Sequence, residues 1–148
     1  MHLPLGLAFV LPALAAGFAW ALWTGRVRPR AWVAIVLLQA LLVGAGLVAM
    51  NTGEREEDRV KPVVPRMAIH QHEELAEQFV WTAGATLGLA ALVVVFRDRR
   101  MTRVLTAATV AGTVLVAGAA VRVGHAGGQL VYQHNAGAAY SGTQTASR

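Results

Sequence analysis

The 148-residue chain is 55% hydrophobic with a mean hydropathy of +0.49, and its apolar residues come in long runs rather than at amphipathic spacing, which is a membrane composition that leaves no length for a separate soluble domain. Its formal net charge of +5 does not imply nucleic acid, because the arginines gather at the ends of the apolar runs, where they set orientation or meet lipid headgroups. The absence of cysteine excludes disulfides, thiolate metal ligands and haem attached covalently through Cys-x-x-Cys-His.

Four spans are predicted, at about 3–24, 31–50, 77–96 and 104–126. Each is near the ~20 residues that a helix rising ~1.5 Å per residue needs to cross ~30 Å of hydrocarbon. The expected fold is therefore all-α: a single four-transmembrane-helix bundle over residues 1–134. The first span has no positive segment before it, and its first basic residue, Arg26, follows the apolar run. That polarity fits a membrane span rather than a cleaved signal peptide, and it sets the N-terminus outside. Pro4 lies in the first turn, where its missing N–H is harmless, whereas Pro12 lies inside the span and is expected to kink it or widen its packing. Trp20 and Trp23 fall at the inner interface, as aromatic belts do.

The link from Gly25 to Arg30 carries three arginines and no acid, so it reads as a tight cytoplasmic return. Gln39, near the middle of the second span, is expected to bind a neighbouring helix through its amide. Residues 51–76 form the expected extracytoplasmic acidic loop with a short helix, rich in Glu54, Glu56, Glu57, Asp58, Glu73 and Glu74. Pro65 is well placed to start that helix. On it, His72 shares a side with Leu75, Ala76, Phe79 and Ala83, and is predicted to face the bundle. His70 shares its side with Glu73, Glu74 and Glu77, and should face water. The third span carries Gly84 and Gly88, a small-xxx-small pair suited to close helix contact. The connection from Arg97 to Arg103 holds four arginines against Asp98 alone, so both short links are placed inside and both termini outside, with 135–148 as a flexible extracytoplasmic tail. Twelve arginines against the single Lys61, beside heavy use of Ala, Gly and Val, suggest a GC-rich genome and a bacterial inner membrane.

The stretch from Arg122 to His134 holds the chemistry. His125 shares a helix face with Ala111, Val114, Gly118, Val121 and Arg122, and small residues there would let a neighbouring backbone or a flat ligand approach, so His125 is expected to point into the bundle. Neutral imidazole is an axial ligand of haem iron. His72 and His125, at similar depth, are the expected pair for haem b, with Gly118 and Gly128 giving room and Arg122 a cation for the propionates. His2 and His134 are reserve ligands. A zinc or copper site built from the same histidines with a nearby glutamate is an alternative. No nucleophile with a base, phosphate loop or pair of intramembrane carboxylates is present, which leaves hydrolysis, NTP use and proton-coupled transport without support. Two functions remain: a b-type electron-transfer module served by a membrane or periplasmic redox partner, or a non-catalytic subunit that packs in a homo- or hetero-oligomer.

These motifs resemble a family of bacterial four-helix inner-membrane proteins catalogued as a domain of unknown function. His2-Leu-Pro4 resembles its opening His-x-Pro, and Thr52 to Glu57 its acidic segment. His72 to Ala76 resembles its third-helix start, and Gly127-Gly-Gln-Leu-Val-Tyr-Gln-His134 its closing Gly-Gly-x-Leu-Val-Tyr-x-His-Gly, with Asn135 in place of the last glycine. The resemblance implies the fold and topology, supplies no activity, and leans towards redox because some relatives occur beside cytochrome components.

Overall fold

A computed structural model describes residues 3–60, 64–96 and 98–132 as four helices: α1 (Leu3–Trp23), α2 (Val33–Val60), α3 (Arg66–Val95) and α4 (Arg99–Tyr132), with one 3-10 turn at Pro29–Trp32. All four are long and apolar enough to cross a membrane. Each packs on its chain neighbours, and α1 also packs on α4, so the bundle closes as a square in chain order. The α3–α4 interface is the most extensive and the α1–α2 interface the least. Large apolar side chains such as Phe9, Leu37, Leu41 and Leu115 lie on the outside, which suits contact with lipid rather than water.

At one end the short links carry the arginines. There α1 stops because Gly25 takes a left-handed conformation, φ +72°, and the amides of Gly25 and Arg26 close back on the carbonyls of Leu22 and Ala21. This paired closure needs a residue without a Cβ penalty at that position. α4 starts on Asp98, whose carboxylate accepts the Met101 amide at 2.9 Å, the usual satisfaction of an orphan N–H in the first turn. Arg26, Arg28, Arg30, Arg99, Arg100 and Arg103 are all exposed at this basic end. Trp20 and Trp23 are exposed there too, as expected, with the Arg26 guanidinium 4.2 Å from the centre of the Trp20 ring.

The other end holds the acidic residues, and here the helices outrun the sequence reading. α2 continues to Val60 rather than stopping near Met50, so the first part of the expected loop is helix. The residues from Thr52 to Val60 include no proline and many good helix formers. α3 runs unbroken from Arg66 for 30 residues, which joins the expected short helix and the third span in one rod that starts directly after Pro65. α4 passes straight through Gly124, Gly127 and Gly128 to Tyr132, 34 residues in all. At ~1.5 Å per residue α4 is ~50 Å long, against ~30 Å of hydrocarbon. The surplus of α2, α3 and α4 lies at this acidic end, because their other ends meet the short basic links.

Inside, two apolar clusters sandwich a polar layer. Ala8, Leu11, Leu42, Phe79, Ala83, Val116 and Ala120 fill the half towards the acidic end, and Ala15, Ala19, Trp32, Ile35, Val93 and Leu105 fill the basic half. Between these registers lie the buried Gln39, Thr86, Thr109 and Thr113. As predicted, Gln39 binds a neighbour, donating from Nε2 to the Ala83 carbonyl at 3.1 Å. The threonine hydroxyls donate to carbonyls on their own helices, Thr86 to Thr82 at 2.8 Å and Thr109 to Leu105 at 2.8 Å, which satisfies a polar group inside a span without a partner helix.

Close approach comes from glycines other than the expected pair. A Cβ at Gly84 or Gly88 would meet nothing within 4 Å, whereas one at Gly46 would lie 3.2 Å from Phe79 Cε1 and one at Gly112 would lie 2.7 Å from Thr86 Oγ1. α3 thus presses Phe79 onto the backbone of α2 and Thr86 onto that of α4. Among lipid chains as apolar as leucine, such van der Waals contact, rather than hydrophobic burial, holds helices together.

Candidate functional site at the acidic end

α3 brings His72 to the bundle and turns His70 away, as its face pattern requires. His70 is exposed and its Nδ1 lies 3.9 Å from Glu73 Oε2. His72 is half-buried, and its Cε1 would lie 3.2 Å from a Cβ at Gly127. The imidazole therefore rests on the α4 backbone, in a space that exists because residue 127 has no side chain. Its Nδ1 is buried and has no hydrogen-bond partner among the described residues. The backbone of Val123 on α4 lies beside the ring as its polar neighbour, although Nδ1 makes no hydrogen bond of good geometry with it. One turn before Gly127 on α4, a Cβ at Gly124 would meet Leu5 Cδ2 at 3.7 Å, so α1 approaches α4 beside the same place.

α4 does not bring His125 to this point. Gly127 and His125 are two residues apart, ~200° around a helix, so the residue under His72 and the residue bearing the second imidazole lie on opposite sides of α4. The whole predicted face is turned outward: Ala111, Val114, Gly118, Val121, Arg122 and His125 are all exposed. The inward seam runs instead through Thr106, Thr109, Thr113, Val116, Ala120, Val123 and Gly127, alternately three and four residues apart and all buried or half-buried. The expectation that His125 points into the bundle is thus corrected, and with it the pairing of His72 and His125 on one iron within one chain.

The remaining predicted residues separate in the same way. A Cβ at Gly118 or Gly128 would meet nothing within 4 Å, so neither glycine opens a space beside His72. Arg122 is exposed on the outward face. His125 is paired with Gln129 along the helix, the amide nitrogen 3.2 Å from Nε2. His2, His134 and the tail 135–148 lie outside the described residues. Among the described residues no three His, Asp or Glu side chains are grouped as metal ligands would be.

The residues that the face reading missed are Gly127, Gly112 and Thr86. The signal was present: Thr106, Thr109 and Thr113 repeat at helical spacing in an otherwise apolar run, and a polar stripe in a span marks the side turned from lipid. No family model, no curated protein and no solved structure matches the chain.

Proposed function

We propose that this chain is a non-catalytic membrane subunit, inserted in a bacterial-type inner membrane with its basic end in the cytoplasm and both termini outside, that docks against another membrane helix through the outward face of α4. The orientation rests on the arginine-rich short links, since positively charged loops stay inside. One observation carries the docking. Val114, Gly118, Val121 and His125, spaced by four, three and four residues, are all exposed, with open space above Gly118. The outward face of α2 carries an exposed glycine as well, Gly44, but sets it among Leu37, Leu41 and Val48, side chains suited to lipid. Small residues at seam spacing let a second backbone come close, and Arg122 and His125 at the outer end add polar contacts that lipid tails do not offer.

A photo-reactive amino acid placed at Gly118, and separately at Leu41, tests this in intact membranes. Adducts of one defined mass from position 118 and none from position 41 are the expected result. Equal labelling at both positions, or lipid adducts alone, would remove the docking reading.

A second reading, haem b held for electron transfer, has the unpaired Nδ1 of His72 in its favour. Because His125 lies on the other side of α4, the sequence leaves His2 and His134 as the source of a second axial ligand. The spectrum of protein purified in mild detergent separates the two readings. A Soret band with split bands on reduction, lost in His72→Ala and kept in His125→Ala, would establish the haem reading, and a colourless preparation from haem-sufficient cells would remove it.

A further inference from the structure

At the basic end, where α1 finishes and α4 begins, Trp23, Arg103, Val104 and Ala107 line a shallow surface groove, open along most of its length, of about 450 Å³. We propose that this groove holds one anionic phospholipid, its phosphodiester on Arg103 and the start of an acyl chain along Val104 and Ala107. The walls are set by the fold. Trp23 donates its indole N–H to Thr106 Oγ1 at 3.0 Å, a bond to the buried side of α4 that holds the ring as a wall and stops it from falling across the opening. Val104 is 58% exposed. Ala107, one turn further into the span, keeps the floor shallow with an apolar surface.

The rim is cationic, and no counter-ion for it lies among the described residues. No carboxylate among the described residues lies within ion-pair distance of Arg103, since the one such contact among them joins His70 and Glu73 at the far end of the bundle. Asp98 is the acid nearest in sequence, and its carboxylate is held by the Met101 amide in the cap of α4. Arg99 and Arg100 stand beside it on the same turn of helix, and Arg26 is stacked on Trp20 at the end of α1. A guanidinium binds a phosphate through parallel N–H donors, and in the interfacial layer it meets phosphate at the depth where tryptophan also settles. Charge thus selects the headgroup and the groove selects a chain-bearing molecule. The excess of arginine at this end favours a lipid with net negative charge over a zwitterionic one.

The test uses the full chain in a mild detergent, titrated with phosphatidylglycerol or with phosphatidylcholine and read by native mass spectrometry. One phosphatidylglycerol should be retained in preference to phosphatidylcholine. Arg103→Gln, which removes a charge-assisted hydrogen bond, should lower its apparent affinity about tenfold or more. Ala107→Phe fills the groove without changing charge and should lower it comparably. Arg28→Gln, at the same end but outside the groove, should leave it within about twofold. All three positions are exposed, so the fold tolerates each change, and an unchanged far-UV spectrum verifies this. Equal retention of the two lipids, wild-type binding by Ala107→Phe or Arg103→Gln, or an equal loss in Arg28→Gln would each overturn the site in favour of general attraction to a basic surface.

Discussion

Replacing Gly112 by alanine tests the packing that brings α3 onto α4. The added Cβ would lie 2.7 Å from Thr86 Oγ1, 2.9 Å from its Cγ2 and 3.3 Å from its Cβ. Distances this short cannot be absorbed by a flexible side chain, because threonine is branched at Cβ and stiff at χ1 on a helix. Turning Thr86 away breaks its 2.8 Å bond to the Thr82 carbonyl, worth about 1 kcal/mol, and an off-rotamer side chain costs about 0.5–1.5 kcal/mol more. Moving the helices apart instead is overpacking, at about 1–3 kcal/mol. Against either route, alanine is better than glycine in a helix by up to about 1 kcal/mol. The expected net loss is about 1–2 kcal/mol. In a Thr86→Ala background the two shortest contacts are gone and only the 3.3 Å approach to Cβ remains, offset by the helix preference, so there Gly112→Ala should be close to neutral, with a coupling of about 1–2 kcal/mol between the two sites. Unfolding in mixed micelles with increasing sodium dodecyl sulfate, followed by far-UV circular dichroism, measures all four proteins. If Gly112→Ala alone is as stable as the wild type, or the two effects simply add, Thr86 does not rest on Gly112.

Three further outcomes follow from the same contacts. Gly127→Leu should destabilise the bundle by about 1–3 kcal/mol, since it drives a side chain into the His72 ring, whereas Gly118→Leu should stay within about 0.5 kcal/mol in the same assay because the space above it is open; the reverse order would mean that α4 is rotated. Gln39→Leu should change stability by no more than about 1 kcal/mol, because interhelical hydrogen bonds in membranes average about 0.6 kcal/mol and the substitution also removes the buried, unpaired Oε1. A loss above about 2 kcal/mol would show that the amide has a second partner. His70→Ala should leave unfolding unchanged, as its contact with Glu73 is exposed and such pairs contribute little; a measurable loss would place His70 in a packed environment.

Reading the chain alone was enough to establish that four helices are long and apolar enough to cross a membrane, that the short links are arginine-rich and the long one acidic, and that His70 and His72 point in different directions. Those statements rest on length, hydropathy and the fixed ~100° step between helical residues, all local properties. The bond made by Gln39 was legible for a similar reason: an amide inside an apolar span has few alternatives to a neighbouring helix. What the sequence left open was the rotation of α4. Both of its long faces are rich in Ala, Gly and Val, so residue size could not tell which one met the bundle, and size pointed to the face carrying Gly118 and His125. Tertiary packing decided for the threonine face, where Gly112 receives Thr86 and Gly127 receives His72. The ends of the helices were hidden for a related reason. The predicted fourth span stops at about residue 126, but Gly127 is where α3 lays an imidazole on the α4 backbone, and that contact exists only once the two helices are side by side.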